Sequence, residues 1–137
     1  MRFLTLAVLA GVGFLDSLYL TVSHYRNVSP VCGPLVGCET VLSSPYATLI
    51  GGTPNALWGV LYYLVLIALG VELYRSKDDV LLLAAKIIAV LGVAAHLYFI
   101  YLQAFVIRAW CPYCLLSASL TATIVLLLFL PRREQTL

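Results

Sequence analysis

Cys111 and Cys114 enclose Pro112 and Tyr113 just ahead of a long apolar run, with Trp110 before them. Two thiols at this spacing, with proline at the first helical position, sit one turn apart at a helix start. They can close a disulfide or act together on one substrate. The unpaired N–H groups and partial positive charge of a helix start favour thiolate over thiol, which supplies the nucleophile for disulfide exchange. Zinc sites and inert structural disulfides use the same spacing. Haem attachment is disfavoured, because Leu115 stands where that motif requires histidine. A second pair, Cys32 and Cys38, bounds a stretch containing Gly33, Pro34 and Gly37, turn formers that make a short closed loop feasible. Four cysteines in two close pairs suit an oxidising compartment. A four-thiolate zinc site joining both pairs is the metal alternative, and no other metal ligand set is apparent.

The elements around these thiols are apolar to an unusual degree. With 137 residues, 63% of them apolar and 10% charged, and a mean hydropathy of +1.03, the chain reads as one domain, residues 1–137, that belongs in a membrane. The net charge of +2 forms no basic stripe or acidic tail, so a nucleic-acid partner has no support. Four spans are expected, over about 3–25, 55–74, 80–107 and 112–130. Each approaches or exceeds the roughly 20 residues that cross a hydrocarbon core. The first runs past the usual length of a signal-peptide core, which argues against cleavage. The third is longer than a bilayer requires and should tilt or project.

The cysteine loop covers about 26–54. Its segment Glu39–Ile50 is too short and too interrupted by Ser43, Ser44 and Pro45 to span, yet too apolar for free water, and reads as a short interfacial helix capping the bundle. Thr53 is an N-cap candidate for the second span, with Pro54 in its first turn. The fold class is therefore all-α, an integral membrane four-helix bundle with a short capping helix in the first extracytoplasmic loop.

Arg2, Arg75, Lys77, Arg132 and Arg133 fall on one side of the expected membrane, and Arg26 and Arg108 on the other. The richer side should be cytoplasmic, with both termini there and both cysteine pairs extracytoplasmic. Asp16 lies about 20 Å into the first span and His96 about 24 Å into the third, counted from the cytoplasmic ends. A carboxylate at that depth is costly, and His96 is its candidate partner. The tyrosines, Trp58 and Trp110 read as interfacial anchors and packing.

Taken together, the Cys32/Cys38 loop after the first span, Ser43 and Ser44 beyond it, Asn55 opening the second span and the CPYC motif opening the fourth resemble the vitamin K epoxide reductase family over nearly the whole chain. The resemblance implies a four-helix bundle around a quinone of the ubiquinone, menaquinone or vitamin K type. Cys114 would lie nearest the quinone with Cys111 as its partner, exchanging with Cys38, while Cys32 would meet an external dithiol. Asn55 matches a residue that hydrogen-bonds the quinone in animal members, and Ser44 a hydroxyl position near the site. Animal members carry a tyrosine four residues after the last cysteine, where this chain has Ala118. Quinone anchoring is therefore expected to differ here.

Many prokaryotic relatives carry a fused thioredoxin-like domain that this chain is too short to contain, so the implied partner is a separate thioredoxin-fold, DsbA-like redox protein. The implied function is re-oxidation of that partner for disulfide formation in secreted proteins, at a prokaryotic cytoplasmic membrane. Reduction of a vitamin K quinone or epoxide by the same cysteines is the alternative within the class. A non-enzymatic membrane scaffold with two structural disulfides is the alternative outside it.

Overall fold

Each of the four apolar runs forms one long helix in the computed structural model, which describes residues 1–34 and 37–131. Leu35 and Val36 of the cysteine loop, and Arg132 and Arg133 of the charge count, lie outside the described residues. Helix α1 spans Arg2–Tyr25, α2 Cys38–Leu42, α3 Asn55–Ser76, α4 Asp79–Tyr101 and α5 Pro112–Phe129. Single-turn helices at Pro45–Ala47 and Ile50–Gly52 follow α2. No strand occurs among the described residues. The helices α1, α3, α5, and α4 together with its continuation to Ile107, are long and apolar enough to cross a membrane. Leu15, Leu61, Leu83, Leu91 and Leu126 are exposed on the outside of the bundle. An apolar exterior suits hydrocarbon as the surrounding medium.

Helices α1 and α3 share the largest interface and run antiparallel, Leu6 meeting Gly70, Gly13 meeting Tyr63 and Ser17 meeting Gly59. Lipid gives helices no hydrophobic reason to associate, so close van der Waals packing at small residues must do it. A methyl group at Gly70 would lie 2.8 Å from the Leu6 side chain and 3.3 Å from the α1 backbone. Leu6, Leu66, Leu73, Leu82, Ile124 and Leu128, with Ala10, Ala85 and Ala89, fill the half of the bundle away from the cysteines.

The connections agree with local chemistry. Lys77 ends α3 in the left-handed conformation, and Asp78 caps α4 by accepting from Val80 N–H at 2.7 Å and Leu81 N–H at 3.4 Å. Arg2 donates to the Leu130 carbonyl at 2.6 Å, placing the start of α1 beside the end of α5. Pro54 is the N-cap of α3, so Thr53 does not cap it. The Thr53 hydroxyl instead donates to the Ile50 carbonyl at 2.9 Å and accepts from Trp58 Nε1 at 3.1 Å. The extra length of the third span is taken up by winding: α4 continues as a π-helical segment, Leu102–Ile107, that ends at Arg108 in the left-handed conformation. Both cysteine pairs lie at the end of the bundle opposite Arg2 and Asp78.

Candidate active site

Pro112 occupies the first position of α5 and Cys111 its N-cap, so the two thiols bracket the first turn. Cys111 is fully buried, and its N–H donates to Gln103 Oε1 at 2.8 Å. Gln103, itself 2% exposed, also accepts the Ala109 N–H on its backbone carbonyl at 3.1 Å. The π-helical turn thus fixes the entry into the CPYC motif. π-turns often mark functional sites, because the extra residue re-aims a side chain. Both helix cysteines are free thiols. The Cys111 pKa is lowered to about 7, first by the hydrogen bond with the Cys114 thiol and then by backbone N–H groups of the helix start, against burial and the Asp16 charge. The helix start therefore contributes, but the neighbouring thiol contributes more.

The loop pair is joined, Cys32 to Cys38, with Cα atoms 5.9 Å apart. Its sulfurs are bonded to each other, so the two pairs do not form a four-thiolate cluster. Cys38 is the first residue of α2, is buried, and packs in one cluster with Val41 and Cys111, against which Cys32 and Cys114 also lie. Gly37 makes this approach feasible: a Cβ there would overlap the backbone carbonyl of Trp110, the residue before Cys111. Its φ of −98° is open to any residue, so close approach and not conformation requires the glycine. On the other side of Cys32, Val31 is held through its backbone. Its N–H donates to the Tyr19 hydroxyl at 3.1 Å, and its carbonyl accepts from the Tyr113 hydroxyl. The two rings lie 5.5 Å apart. These tyrosines are more than interfacial anchors, since they tie the loop dithiol to α1 and α5.

Beneath the cysteines is a cavity of about 790 Å³, lined mainly by apolar side chains including Leu20, Val41, Leu42, Ile88, Leu91 and Phe99. Of the four cysteines only Cys114 lines it. Asn55 and Ser44 also line it, from the start of α3 and the turn after α2. Asn55 Nδ2 donates to the Tyr46 carbonyl at 2.7 Å, which leaves its second amide hydrogen and its Oδ1 uncommitted within the protein. The Ser44 hydroxyl donates to the Val41 carbonyl at 2.7 Å, so only its acceptor capacity is left for a ligand. Among the described residues, three buried side-chain atoms lack a hydrogen-bond partner: Asp16 Oδ1, Asn55 Oδ1 and the Tyr62 hydroxyl. All three residues line this cavity. An unsatisfied buried polar atom costs about 1–3 kcal/mol. A flat ring carrying two oxygens that alternate between carbonyl and hydroxyl fits such a lining. Tyr62 and the Asn55 amide can donate to the carbonyl form, and the Asp16 and Asn55 oxygens can accept from the hydroxyl form.

Asp16 and His96 face the same cavity without pairing, contrary to the expectation from their depths. His96 Nδ1 lies 2.7 Å from the Gly92 carbonyl and so donates to it. The Nε2 of the neutral ring then accepts from the Ser117 hydroxyl at 3.0 Å. Ser117 Oγ contacts the Tyr63 hydroxyl at 2.7 Å, and Tyr63 contacts Thr121 Oγ1 at 3.1 Å. This buried network joins α3, α4 and α5 and uses both ring nitrogens, leaving none for Asp16. A lone glutamine within an apolar span is the signal that would have pointed to Gln103. The partners of Tyr19, Tyr63 and Tyr113 carry no local signal.

The family model for the vitamin K epoxide reductase family matches residues 4–129. A match over nearly the whole chain, on a four-helix membrane bundle with one cysteine pair closed and the other open above a cavity, places this protein in the vitamin K epoxide reductase family, and so among the oxidoreductases.

Proposed function

We propose that the protein is a quinone-linked thiol-disulfide oxidoreductase that re-oxidises a separate thioredoxin-fold partner on the extracytoplasmic face of a membrane. The observation that carries this reading is the packing of the loop disulfide against Cys111, with Cys114 reaching the cavity. Electrons enter when a partner dithiol attacks the Cys32–Cys38 disulfide, which leaves the partner oxidised and the loop pair reduced. Cys38 then attacks an oxidised Cys111–Cys114 pair, and Cys32 resolves the mixed disulfide, so the loop closes as the helix pair opens. Cys111, with its pKa near 7, is a good leaving group in that last exchange. A closed loop pair beside free helix thiols supports this reading, since it is the distribution that such an exchange leaves. The quinone supplies a two-electron sink. Asn55 and Tyr62 orient it, the apolar lining excludes water, and Cys114 is the thiol that faces it.

The test is quinone reduction by purified protein supplied with a reduced thioredoxin-fold partner. Turnover should be absent in Cys114→Ala. In Cys32→Ala it should fail with the protein partner and persist with a small dithiol. No turnover with several quinones, while all four cysteines stay locked in disulfides, would leave the scaffold reading in place.

A further inference from the structure

The reaction proposed above moves two protons as well as two electrons, and the structure separates their starting points. Oxidation of Cys111 and Cys114 by a quinone forms one S–S bond, breaks two S–H bonds and delivers two electrons and two protons, giving the quinol. Cys114 lines the cavity, so its proton has a direct path. Cys111 is fully buried and does not line the cavity, so its proton needs a carrier. Water is a poor candidate among apolar helices. The side chain required must lie near both Cys111 and the cavity, must hold a proton in one state and release it in the other, and must not be committed elsewhere.

The titratable groups lining the cavity can be compared on these terms. His96 has both ring nitrogens bonded, to Gly92 and Ser117. Tyr113 is bonded to Val31 outside the cavity. His24 and Glu39 are exposed at the loop end of the bundle. Tyr62 has an unpartnered hydroxyl and Tyr46 lines the cavity as well, but phenol is too weak an acid to exchange its proton readily near neutral pH. Asp16 remains. Its Oδ1 is buried without a partner among the described residues, its side chain lines the cavity together with Cys114, and it lies one turn before Tyr19, whose ring packs against Tyr113 between the two thiols. An intramembrane carboxyl with no counter-ion among the described residues is costly to keep for packing alone.

We propose that Asp16 is the proton carrier of the inner half-reaction, accepting the proton that Cys111 loses and passing it to an oxygen of the quinone. This rests on the quinone-linked reading and deepens it. The carboxyl gains and loses one proton per cycle and takes no electrons. Stationed in the cavity that Cys114 also lines, it lets the two-electron step finish without a charge stranded in the bundle.

The experiment begins with the parent protein, pre-reduced and mixed with a ubiquinone or menaquinone analogue of short tail, following quinol formation optically and Cys111–Cys114 closure by thiol alkylation. If the parent gives no quinol, the quinone-linked reading itself fails. If the parent turns over, Asp16→Asn should slow both readouts by about 10², with reduction of the loop disulfide by a small dithiol unchanged. Asp16→Glu should keep most of the rate. Asp16→Ala should be rescued in proportion to added formate or acetate, a response that a packing role does not produce. Asp16→Leu suits the span and serves if the asparagine variant does not fold. Parental closure rates in either Asp16→Asn or Asp16→Leu, or loss confined to quinone affinity without acid rescue, overturn the proposal.

Discussion

Cys32 and Cys38 are closed into a disulfide; Cys38 is buried at the start of α2, and the Cys32 side of the loop is tied down through the backbone of its neighbour Val31 by tyrosines from two helices. Cys111 and Cys114 are open thiols at the start of α5, where Gln103 and the helix N–H groups fix the backbone. Each loop anchor is a single hydrogen bond, of the kind worth about 1 kcal/mol. The α5 anchors are buried and belong to the bundle. On the proposed function, a pair that meets a soluble protein benefits from weak anchors, and a pair that holds its geometry beside a cavity benefits from strong ones.

The sharpest break in this comparison is Cys114→Ala, which removes the only cysteine that lines the cavity. Quinone-dependent turnover should fall to background. The same change removes the thiol whose hydrogen bond is the largest cause of the lowered Cys111 pKa. The pH midpoint for exchange between Cys111 and the loop should therefore move up from about 7 toward the ordinary thiol range. A midpoint that stays put would assign the shift to the helix start alone.

Gly37→Val attacks the contact between the pairs instead of either pair. Its side chain would enter space held by the Trp110 backbone, and overpacking of this kind costs about 1–3 kcal/mol. Exchange between loop and helix pairs, followed by quench and alkylation, should slow about tenfold or more. Quinone reduction by helix thiols reduced directly with a small dithiol should hold near the parental rate. If both fall together, Gly37 matters to the fold and not to the meeting of the pairs.

A smaller effect follows from Cys111 protonation. A thiol with a lowered pKa is thiolate above that pKa and neutral below it, so with a value of about 7 the thiolate fraction rises about tenfold between pH 6 and pH 8. Starting with the loop oxidised and the helix pair reduced, the return of electrons from Cys111 to the loop disulfide should quicken by that factor. Stopped-flow quenching across the range measures it. A flat profile would mean that thiolate formation does not limit the exchange.

The sequence made the spans legible because their ends carry unambiguous chemistry: Pro112 starts a helix, and the Arg75–Asp79 run is too polar to cross. The cysteine pairs were legible because sulfur is rare and its spacing is informative. Four details were not readable in this way. Tyr113 and Val31 are 82 residues apart, and neither carries a mark of the other. Gly37 looks like an ordinary turn residue, although its φ does not demand glycine. The length of the third span signalled excess but not that a π-helical turn would absorb it. Depth along two helices suggested a bond between Asp16 and His96, but depth does not fix rotation. Ser117, reached from α5, had a better-placed hydroxyl.

Tyr113→Phe gives the smallest effect and the most discriminating sign. It removes the hydroxyl that holds the Val31 carbonyl and keeps the ring against Tyr19. Losing about 1 kcal/mol of tethering should raise the population of released loop about fivefold. Cys32 in the reduced loop should then react up to about fivefold faster with a membrane-impermeant maleimide. Exchange with Cys111 should slow modestly, because the loop spends less time docked. Tyr19→Phe, which removes the acceptor for the Val31 N–H, should act in the same direction. Opposite signs at the two readouts are what a docked, releasable dithiol requires; a loop rigid in both states would show no change at either, and a variant that loosened the whole bundle would lose quinone reduction as well.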